Sequence, residues 1–373
     1  MIVMFRGGQI HGFDAHGRAL ARGGHGGGQR GGAGGRRLGA GGEVAQAAAS
    51  AHCPETQGLP LSGAHVVSIA PRIGLLVGRE WSFPPAFLEA VARRQAGVTA
   101  DYITLDATRM GQAVPYSLII DRISHEVGFY RTFLKHATRM GVTVVNNPFM
   151  WSADDKFYDA TLAIQHGVAH PKTVVLPNKE YIPGISHTES LRNLAYPLDW
   201  RAVADYIGFP CILKDAHGGG WRDVYVCHTM EELLHHYNGS GLLTMVVQEF
   251  IRWDQYVRCM VLGRDQVLPM PYDPHQRRYI PDAGYLDGAL EARCVRDALT
   301  LCRALGYDMN TVEFAIRDGV PYAIDFMNPA PDMDINSLTP EYFGWVVEHM
   351  ADLAIRLATA PRPQGEQELV RRP

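Results

Sequence analysis

Two lysines are expected to be held in ordered structure, and three consecutive glycines follow one of them. Lys156 comes after an Asn-Asn-Pro break in a helix-like run, and Lys214 lies inside the strand-like run PCILKDA. Burial of an unpaired ammonium is costly, so the lysine inside the apolar strand is expected to have a specific partner. Gly218, Gly219 and Gly220 come shortly after Lys214, and without Cβ atoms their backbone N–H groups can approach phosphate oxygens closely. The pattern predicts a clamp for a nucleotide triphosphate; for the glycines alone, an ordinary flexible hairpin is the alternative.

A later hairpin carries an acidic set of side chains. Glu313 and Asp325 lie on two strand-like runs joined by Asp318-Gly319, a favoured two-residue turn, and Asn328 follows. The residues between the two carboxylates are apolar, which disfavours a solvated face. Opposed carboxylates and an amide oxygen form the all-oxygen shell that Mg²⁺ prefers, with nucleotide phosphates completing it. The set predicts a site for Mg²⁺ or Mn²⁺.

The run QEFIRWDQYVRCMVLG predicts a purine site and an anion site. Where a strand ends at Gln248 and Glu249, free backbone groups can pair with a purine edge, and Phe250 and Ile251 can enclose its ring. A plain core strand is the alternative. Arg258, on the following strand, is suited to neutralising a phosphate or an acyl phosphate.

Two groups of residues are candidate substrate contacts: one follows a strand, and the other follows a proline-rich segment. Arg122, Ser124 and His125 come directly after the strand-like run YSLIID, and capping of the next helix is an equally open role for them. Ligands of open parallel sheets bind at the carboxyl ends of strands, which favours Arg122 as a substrate contact. Asp332 and Asp334 follow a Pro-Ala-Pro segment and are expected to border the same site.

The elements that position these residues change along the chain. Strands alternate with helices over 72–147, which predicts an open, mainly parallel sheet covered on both faces. Ser152 is expected to cap the helix that carries Lys156, with Asp155 as an acidic partner. From about residue 200 the pattern predicts hairpins. The fold class is therefore α/β followed by α+β.

Composition limits the remaining possibilities. The chain is 46% hydrophobic with a net charge of −4, which gives no electrostatic argument for nucleic acid or an anionic membrane as a partner. No apolar run approaches the roughly 20 residues that span a bilayer. Six cysteines without CxxC spacing predict buried free thiols in a reducing cytoplasm. The Gly/Arg-rich segment 1–65 and the tail 361–373 are expected to be disordered. An RNA-binding tail and a mis-assigned start are the alternatives for 1–65.

As an ordered set, these motifs resemble the ATP-grasp superfamily. The resemblance is to its ribosomal-protein glutamate ligase and glutathione synthetase-like branch of carboxylate–amine ligases. It rests on NNP followed by DK at the start of a helix, K-x-x-x-G-G-G, Q-E-F-I, R-x-x-V-x-G and the acidic hairpin ending in N-P, and covers roughly 72–357. It implies a small Rossmann-like parallel α/β domain over 72–147, then an ATP-grasp domain over 148–358. Within that domain, two α+β subdomains, about 200–252 and 253–358, would clasp ATP.

The resemblance also assigns roles to residues. It implies phosphorylation of a carboxylate, attack by an amine, and release of ADP and phosphate. The catalytic residues implied are Arg258 and Lys214. The implied ATP contacts are Lys156, Lys214, Gly218, Gly219, Gly220, Gln248, Glu249, Phe250, Ile251 and Asp254. The implied metal ligands are Glu313, Asp325 and Asn328.

Two positions depart from the family pattern. Members commonly carry a ribose-binding acid two residues before the equivalent of Arg258, where this chain has Tyr256. Asp254 shares that strand face and is the candidate substitute. The usual acid-x-Asn motif is here spaced by one extra residue, so Asn328 needs a bulge to join Asp325 at the metal.

The expected activity is therefore that of an ATP- and Mg-dependent ligase joining a carboxylate to an amine. An ATP-grasp phosphotransferase, a ligase using another nucleophile, and a nucleotide-binding protein without catalysis are the alternatives. The expected partners are small-molecule or peptide substrates, without nucleic acid or membrane. Related enzymes are often dimers, so the resemblance leaves a homodimer open.

Overall fold

The described part of the chain forms three β-sheets. The computed structural model describes residues 70–185, 189–280 and 284–360. The segments predicted to be disordered, 1–65 and 361–373, lie outside the described residues. Five of the cysteines are described, and each is a buried free thiol, as predicted. Within these ranges, no helix is both long and apolar enough to cross a lipid bilayer.

The first sheet is parallel, as the alternation of strands and helices predicted. Its elements are β1 Arg72–Leu76, α1 Phe83–Arg93, β2 Thr99–Tyr102, β3 Leu118–Asp121, α2 Gly128–Arg139 and β4 Thr143–Val145. The strands run in the order β2-β1-β3-β4. Ile120 of β3 packs in a cluster with Phe87 of α1, and Ile119 in another with Leu134 of α2. Successive side chains of a strand point to opposite faces, so helices cover both faces of this sheet.

Two short helices follow the first sheet: α3 Pro148–Trp151 and α4 Lys156–Gln165. The prediction that Ser152 caps the helix carrying Lys156 is wrong. Ser152 has helical backbone angles and ends α3, which the side chain of Asn147 caps. Asp155 has an extended backbone, and its carboxylate accepts hydrogen bonds from two N–H groups of the first turn of α4, both at 2.9 Å. Lys156 is therefore the first helical residue, fixed by the cap beside it.

The second sheet is antiparallel. Its elements are β5 Thr173–Val175, α5 Trp200–Ile207, β6 Cys211–Asp215, β7 Val224–Cys227, α6 Met230–Asn238 and β8 Met245–Glu249. The strands run in the order β5-β8-β6-β7. The predicted hairpin around the glycines is present, with Lys214 opposite Val224. Helices α5 and α6 were not predicted; the side chains of Asp199 and Thr229 cap them.

The third sheet is also antiparallel. Its elements are β9 Gln255–Leu262, β10 Gln266–Asp273, β11 Arg278–Tyr279, α7 Gly288–Leu305, β12 Met309–Arg317, β13 Val320–Asp325 and α8 Pro340–Thr359. The strands run in the order β11-β10-β9-β12-β13. Arg317 pairs with Val320, so the Asp318-Gly319 turn is present as predicted.

Alternation along β9 separates its two faces. Val257 and Cys259 pack in a cluster with residues of α7. Met260, on the other face, packs in a cluster with residues of α8 and of the first sheet. Tyr256 and Arg258 share that second face, nearer the start of β9, where α8 gives way to an aromatic cluster. This is the part of the sheet that carries the candidate site.

Candidate active site

Three charged side chains form a row across the third sheet. Arg258 of β9 is paired with Glu313 of β12, and Glu313 with Asp325 of β13. We call these three residues the charged row. Nη2 of Arg258 lies 2.9 Å from Oε1 of Glu313, and both side chains are 16% exposed. The sequence prediction that the two carboxylates face each other across the hairpin is confirmed.

Two lysines neutralise the acidic end of the row. Burial by itself raises the pKa of Asp325, but the positive charges of Lys156 and Lys214, together with the N–H of Met327 and the charge of Arg258, hold that pKa below its ordinary value. Burial also makes the ammonium of Lys214 less favourable and lowers its pKa, while the negative charge of Asp325 opposes this. The arrangement keeps a carboxylate anionic beside two amines.

A β-bulge supplies a hydrogen-bond acceptor for Lys214. The register shifts between Glu313 and Phe314, which leaves Ile324 as an extra residue on β13. Nζ of Lys214 donates to the carbonyl oxygen of Ile324 at 2.9 Å and to Oε1 of Gln248 at 3.1 Å. Lys214 therefore connects the second sheet to the third. As predicted, it is a buried charge with specific partners.

Lys156 is attached to the glycine loop, residues 218–220. Its Nζ donates to the carbonyl oxygen of Gly218, and its backbone N–H donates to that of Ala216 at 3.0 Å. A Cβ at Gly218 would lie 2.9 Å from Cβ of Asp215, so this position requires glycine. Gly220 has a φ of +65°, which also favours glycine. The loop that was predicted to approach phosphates thus lies against one of the two predicted phosphate-binding lysines.

The predicted purine-binding segment links β8 to β9. Glu249 lies 3.3 Å from Nη1 of Arg317. Ile251 is buried, and the ring of Phe250 is half-buried, 5.6 Å from that of Trp253. The segment is positioned where a strand leaves the second sheet, as predicted; its contact with a purine stays a prediction.

Asp254 lies away from the charged row. It is four residues before Arg258 on the chain, or roughly 13 Å at the usual rise of a strand. Its Oδ2 accepts a hydrogen bond from the N–H of Asp318 at 3.0 Å, so it supports the β12–β13 turn. A ribose contact by Asp254 stays a prediction.

The candidate substrate residues lie at the carboxyl end of the parallel sheet. Arg122 is buried, with Nε 2.9 Å from Oε2 of Glu80, and its Nη2 also donates to the carbonyl of Pro331. Oδ1 of Asp332 accepts from the N–H of Asp334 at 2.9 Å. The segment after β3 and the segment after β13 are therefore hydrogen-bonded to each other. The contact of Arg122, Asp332 and Asp334 with a substrate stays a prediction.

Ser124 and His125 lie in the turn that follows β3. The hydroxyl and backbone N–H of Ser124 both donate to the carboxylate of Asp121, within the turn that follows β3. Burial lowers the pKa of His125.

Asn328 follows the end of β13. Its N–H donates to Oδ1 of Asn310 at 3.2 Å. The bulge precedes Asp325 and does not lie between Asp325 and Asn328, so the metal contact of Asn328 stays a prediction.

Four further residues near the site carry no strong sequence signal. Tyr256 donates its hydroxyl hydrogen to Oε2 of Glu313. The ring of Tyr272 lies 3.9 Å from Cζ of Arg258. His170 is largely buried, and burial lowers its pKa to about 4. Burial and the neighbouring Asp154 raise the pKa of Asp159 well above its ordinary value. Asp159 had a local clue, because it lies three residues after Lys156 on one helix face. Tyr256 was noted only as a departure from the family pattern.

The donors of the charged row fit a magnesium ion. Among the described residues, no group of three or more His, Cys, Asp or Glu side chains is arranged to hold a metal. Mg²⁺, however, is usually held by one or two carboxylates with substrate phosphates and water. The opposed carboxylates of Glu313 and Asp325 meet that requirement.

Comparison with known proteins relates this chain to ligases. No family model matches it. Human mitochondrial pyruvate carboxylase is 35% identical over 141 residues, which span 32% of this chain and 12% of that protein. The D-alanine–D-alanine ligase of Polynucleobacter asymbioticus is 26% identical over 199 residues, 48% of this chain and 59% of that protein. The chain thus spans less than two thirds of the curated relatives it matches.

Solved structures share the fold over most of their length. The RimK domain ATP-grasp protein of Sphaerobacter thermophilus superposes with a TM-score of 0.54 at 19% identity, covering 76% of this chain and 99% of that chain. The D-alanine–D-alanine ligase of Bacillus anthracis complexed with ATP gives a TM-score of 0.56 at 18% identity, covering 80% and 100%. The chain has the ATP-grasp fold, so the fold class that the motifs implied is confirmed.

Proposed function

We propose that this protein is an ATP- and Mg-dependent ligase that joins a carboxylate to an amine. The charged row beside two buried lysines carries the proposal, because it gathers cations and carboxylates where a phosphoryl group would be transferred. The sequence relationship to D-alanine–D-alanine ligases supports the same activity. The carboxylate would take the γ-phosphoryl group of ATP to form an acyl phosphate. An amine would then attack the acyl carbon and release phosphate.

The nucleotide would lie between the second and third sheets. Lys156 and Lys214 would contact its phosphates, together with N–H groups of the glycine loop. Residues 248–251 would receive the adenine, with the backbone pairing its edge. Asp254 is the candidate for the ribose. In this assignment residues 72–147 form the preceding α/β domain, and 148–358 form the ATP-grasp domain, with its two subdomains at about 200–252 and 253–358.

Glu313, Asp325 and Asn328 would hold Mg²⁺ or Mn²⁺. The ion would neutralise charge on the phosphate oxygens. Arg258 would stabilise the transferred phosphoryl group, since its guanidinium is fixed by Glu313 and by the ring of Tyr272. Positioning and charge neutralisation suffice for such a transfer without a covalent protein nucleophile.

The substrates would enter from the carboxyl end of the parallel sheet. Arg122, Asp332 and Asp334 are the candidates for contacts with the acid and the amine. We infer small-molecule or peptide substrates. The five buried free thiols suit a reducing cytoplasm, where we place the reaction.

Nucleotide binding is tested by unfolding with and without Mg-ATP. A ligand at 100 times its dissociation constant adds about 2.7 kcal/mol to the free energy of unfolding. The parent protein is expected to show this gain. Lys214→Met and Asp325→Asn should lose most of it, whereas the exposed Lys179→Met and the turn variant Asp318→Asn should keep it. The absence of a gain in the parent at saturating Mg-ATP would refute the proposal.

Ligation is tested by ADP release from pairs of acids and amines, beginning with D-alanine. The proposal requires release that depends on both, and hydroxylamine should trap the acyl phosphate as a hydroxamate. A stable phosphorylated product formed without an amine would indicate a phosphotransferase. Binding without turnover across a broad panel would indicate a non-catalytic nucleotide-binding protein.

A further inference from the structure

A buried tyrosine holds the central carboxylate of the charged row. Tyr256 is 3% exposed, and its hydroxyl donates to Oε2 of Glu313. Arg258 binds the other oxygen, Oε1, at 2.9 Å. The carboxylate is therefore oriented from both sides by residues of the same strand, β9.

We propose that Tyr256 is a positioning residue that fixes Glu313 for metal binding, and that it makes no ribose contact. The assignment rests on the proposed function and deepens it. Tyr256 occupies the position at which related enzymes are expected to carry a ribose-binding acid. In this chain the hydroxyl points to Glu313, and the ring packs in a cluster with Ile251, Tyr272 and Ala315. The hydroxyl and the ring of Tyr256 are thus directed at Glu313 and at this cluster.

Glu313 keeps capacity for a metal after both contacts. An ionised carboxylate offers about four lone-pair sites on its two oxygens. Tyr256 and Arg258 take one each, which leaves one on each oxygen. Groups that hold a metal-binding carboxylate fix its orientation, and their loss typically lowers metal affinity 10–100-fold. The expected effect of losing the Tyr256 hydroxyl is thus on the metal, through Glu313.

The test uses Tyr256→Phe, which keeps the ring and removes the hydroxyl. The readout is the Mg²⁺ concentration that gives half of the ATP-induced thermal shift. We expect Tyr256→Phe to raise it about tenfold, while saturating Mg²⁺ restores ATP affinity. Tyr237→Phe is the matched control, because it removes another buried tyrosine hydroxyl, one that donates to the carbonyl oxygen of Pro177 beyond the end of β5. It should leave the Mg²⁺ dependence unchanged.

A double-mutant cycle tests whether Tyr256 acts through Glu313. In a Glu313→Gln background, Tyr256→Phe should change the Mg²⁺ dependence by less than about twofold. If Tyr256→Phe changes the Mg²⁺ dependence as much in the Glu313→Gln background as in the parent, the assignment is overturned. The ribose is tested with 2′-deoxy-ATP, which both parent and Tyr256→Phe should discriminate equally from ATP. Loss of that discrimination in the variant would indicate a ribose contact and overturn the assignment.

The two proposals fail in different ways. A parent with no Mg-dependent shift overturns the proposed function and this assignment with it. If the parent shows the shift and Tyr256→Phe shows the same Mg²⁺ dependence, this assignment alone is overturned. The same holds if Tyr256→Phe is less stable than the parent but keeps the same Mg²⁺ dependence.

Discussion

His170 should make the protein sensitive to mild acid. It lies in the loop between α4 and β5, with Nδ1 2.7 Å from the carbonyl oxygen of Pro171 and its ring edge-on to that of Phe326. Burial lowers its pKa from 6.5 to about 4, and the positive charge of Lys214 adds to the effect. The folded state thus favours neutral imidazole. Protonation must either charge a buried ring beside a cation or expose it.

The direction and size of the effect follow from the two pKa values. Because the folded-state pKa is the lower one, the unfolded state binds more protons below pH 6.5, and stability falls as the pH drops from 6.5 towards 4. At about 1.4 kcal/mol per pKa unit, the complete shift corresponds to about 3 kcal/mol. The ring keeps some contact with solvent, which screens the charge, so we expect about 2 kcal/mol by pH 4.5.

The assay is urea unfolding at pH 7.5 and pH 4.5. His170→Asn cannot titrate and keeps a donor near Pro171, so its loss of stability between the two pH values should be about 2 kcal/mol smaller than that of the parent. His166→Asn is the matched control, since this histidine is exposed at the end of α4. Equal losses in the parent and in His170→Asn, within about 0.5 kcal/mol, would refute the reasoning.

Two further predictions concern stability. Burial, and then Asp154, raise the pKa of Asp159. Above about pH 4 the unfolded state therefore loses a proton that the folded state keeps, so stability falls as the pH rises until the folded group also ionises. Asp159→Asn should remove this slope in unfolding curves between pH 4 and 7, and an unchanged slope would contradict the assignment. Asn146→Ala should cost at least about 3 kcal/mol in urea unfolding, because it removes four hydrogen bonds, three of them buried, to Asp308, Met309 and Pro329. The cap variant Asn147→Ala should cost only about 1 kcal/mol. A loss of stability in Asn146→Ala as small as that of the cap variant would show that the Asn146 contacts are dispensable.

Local sequence rules account for much of the site. The two-residue turn at Asp318-Gly319 sets the register of its hairpin as far as Phe314, and the β-bulge at Ile324 then places Glu313 opposite Asp325. A lysine inside an apolar strand implied a buried charge with partners, and Lys214 has them. These inferences succeeded because a turn, a strand period and the cost of burying a charge each act over a few residues.

Other local inferences failed where two local signals competed. Ser152 is a good capping residue by type, yet Asn147 and Pro148 had already begun a helix that Ser152 ends. The helices α5 and α6 were missed between strong strand signals. Their ends are marked by ordinary caps, and packing over the second sheet stabilises them.

The sequence by itself determined the ordered set of charged residues, the turn of the hairpin that carries the two carboxylates and the class of fold. Tertiary structure alone decided which distant groups meet. Ile324 offers its carbonyl to Lys214 from another sheet, 110 residues away. Tyr256 reaches Glu313, 57 residues on, only because β9 and β12 are neighbours. Such contacts depend on how separate elements pack, and no local pattern encodes a partner that lies on an element formed far along the chain.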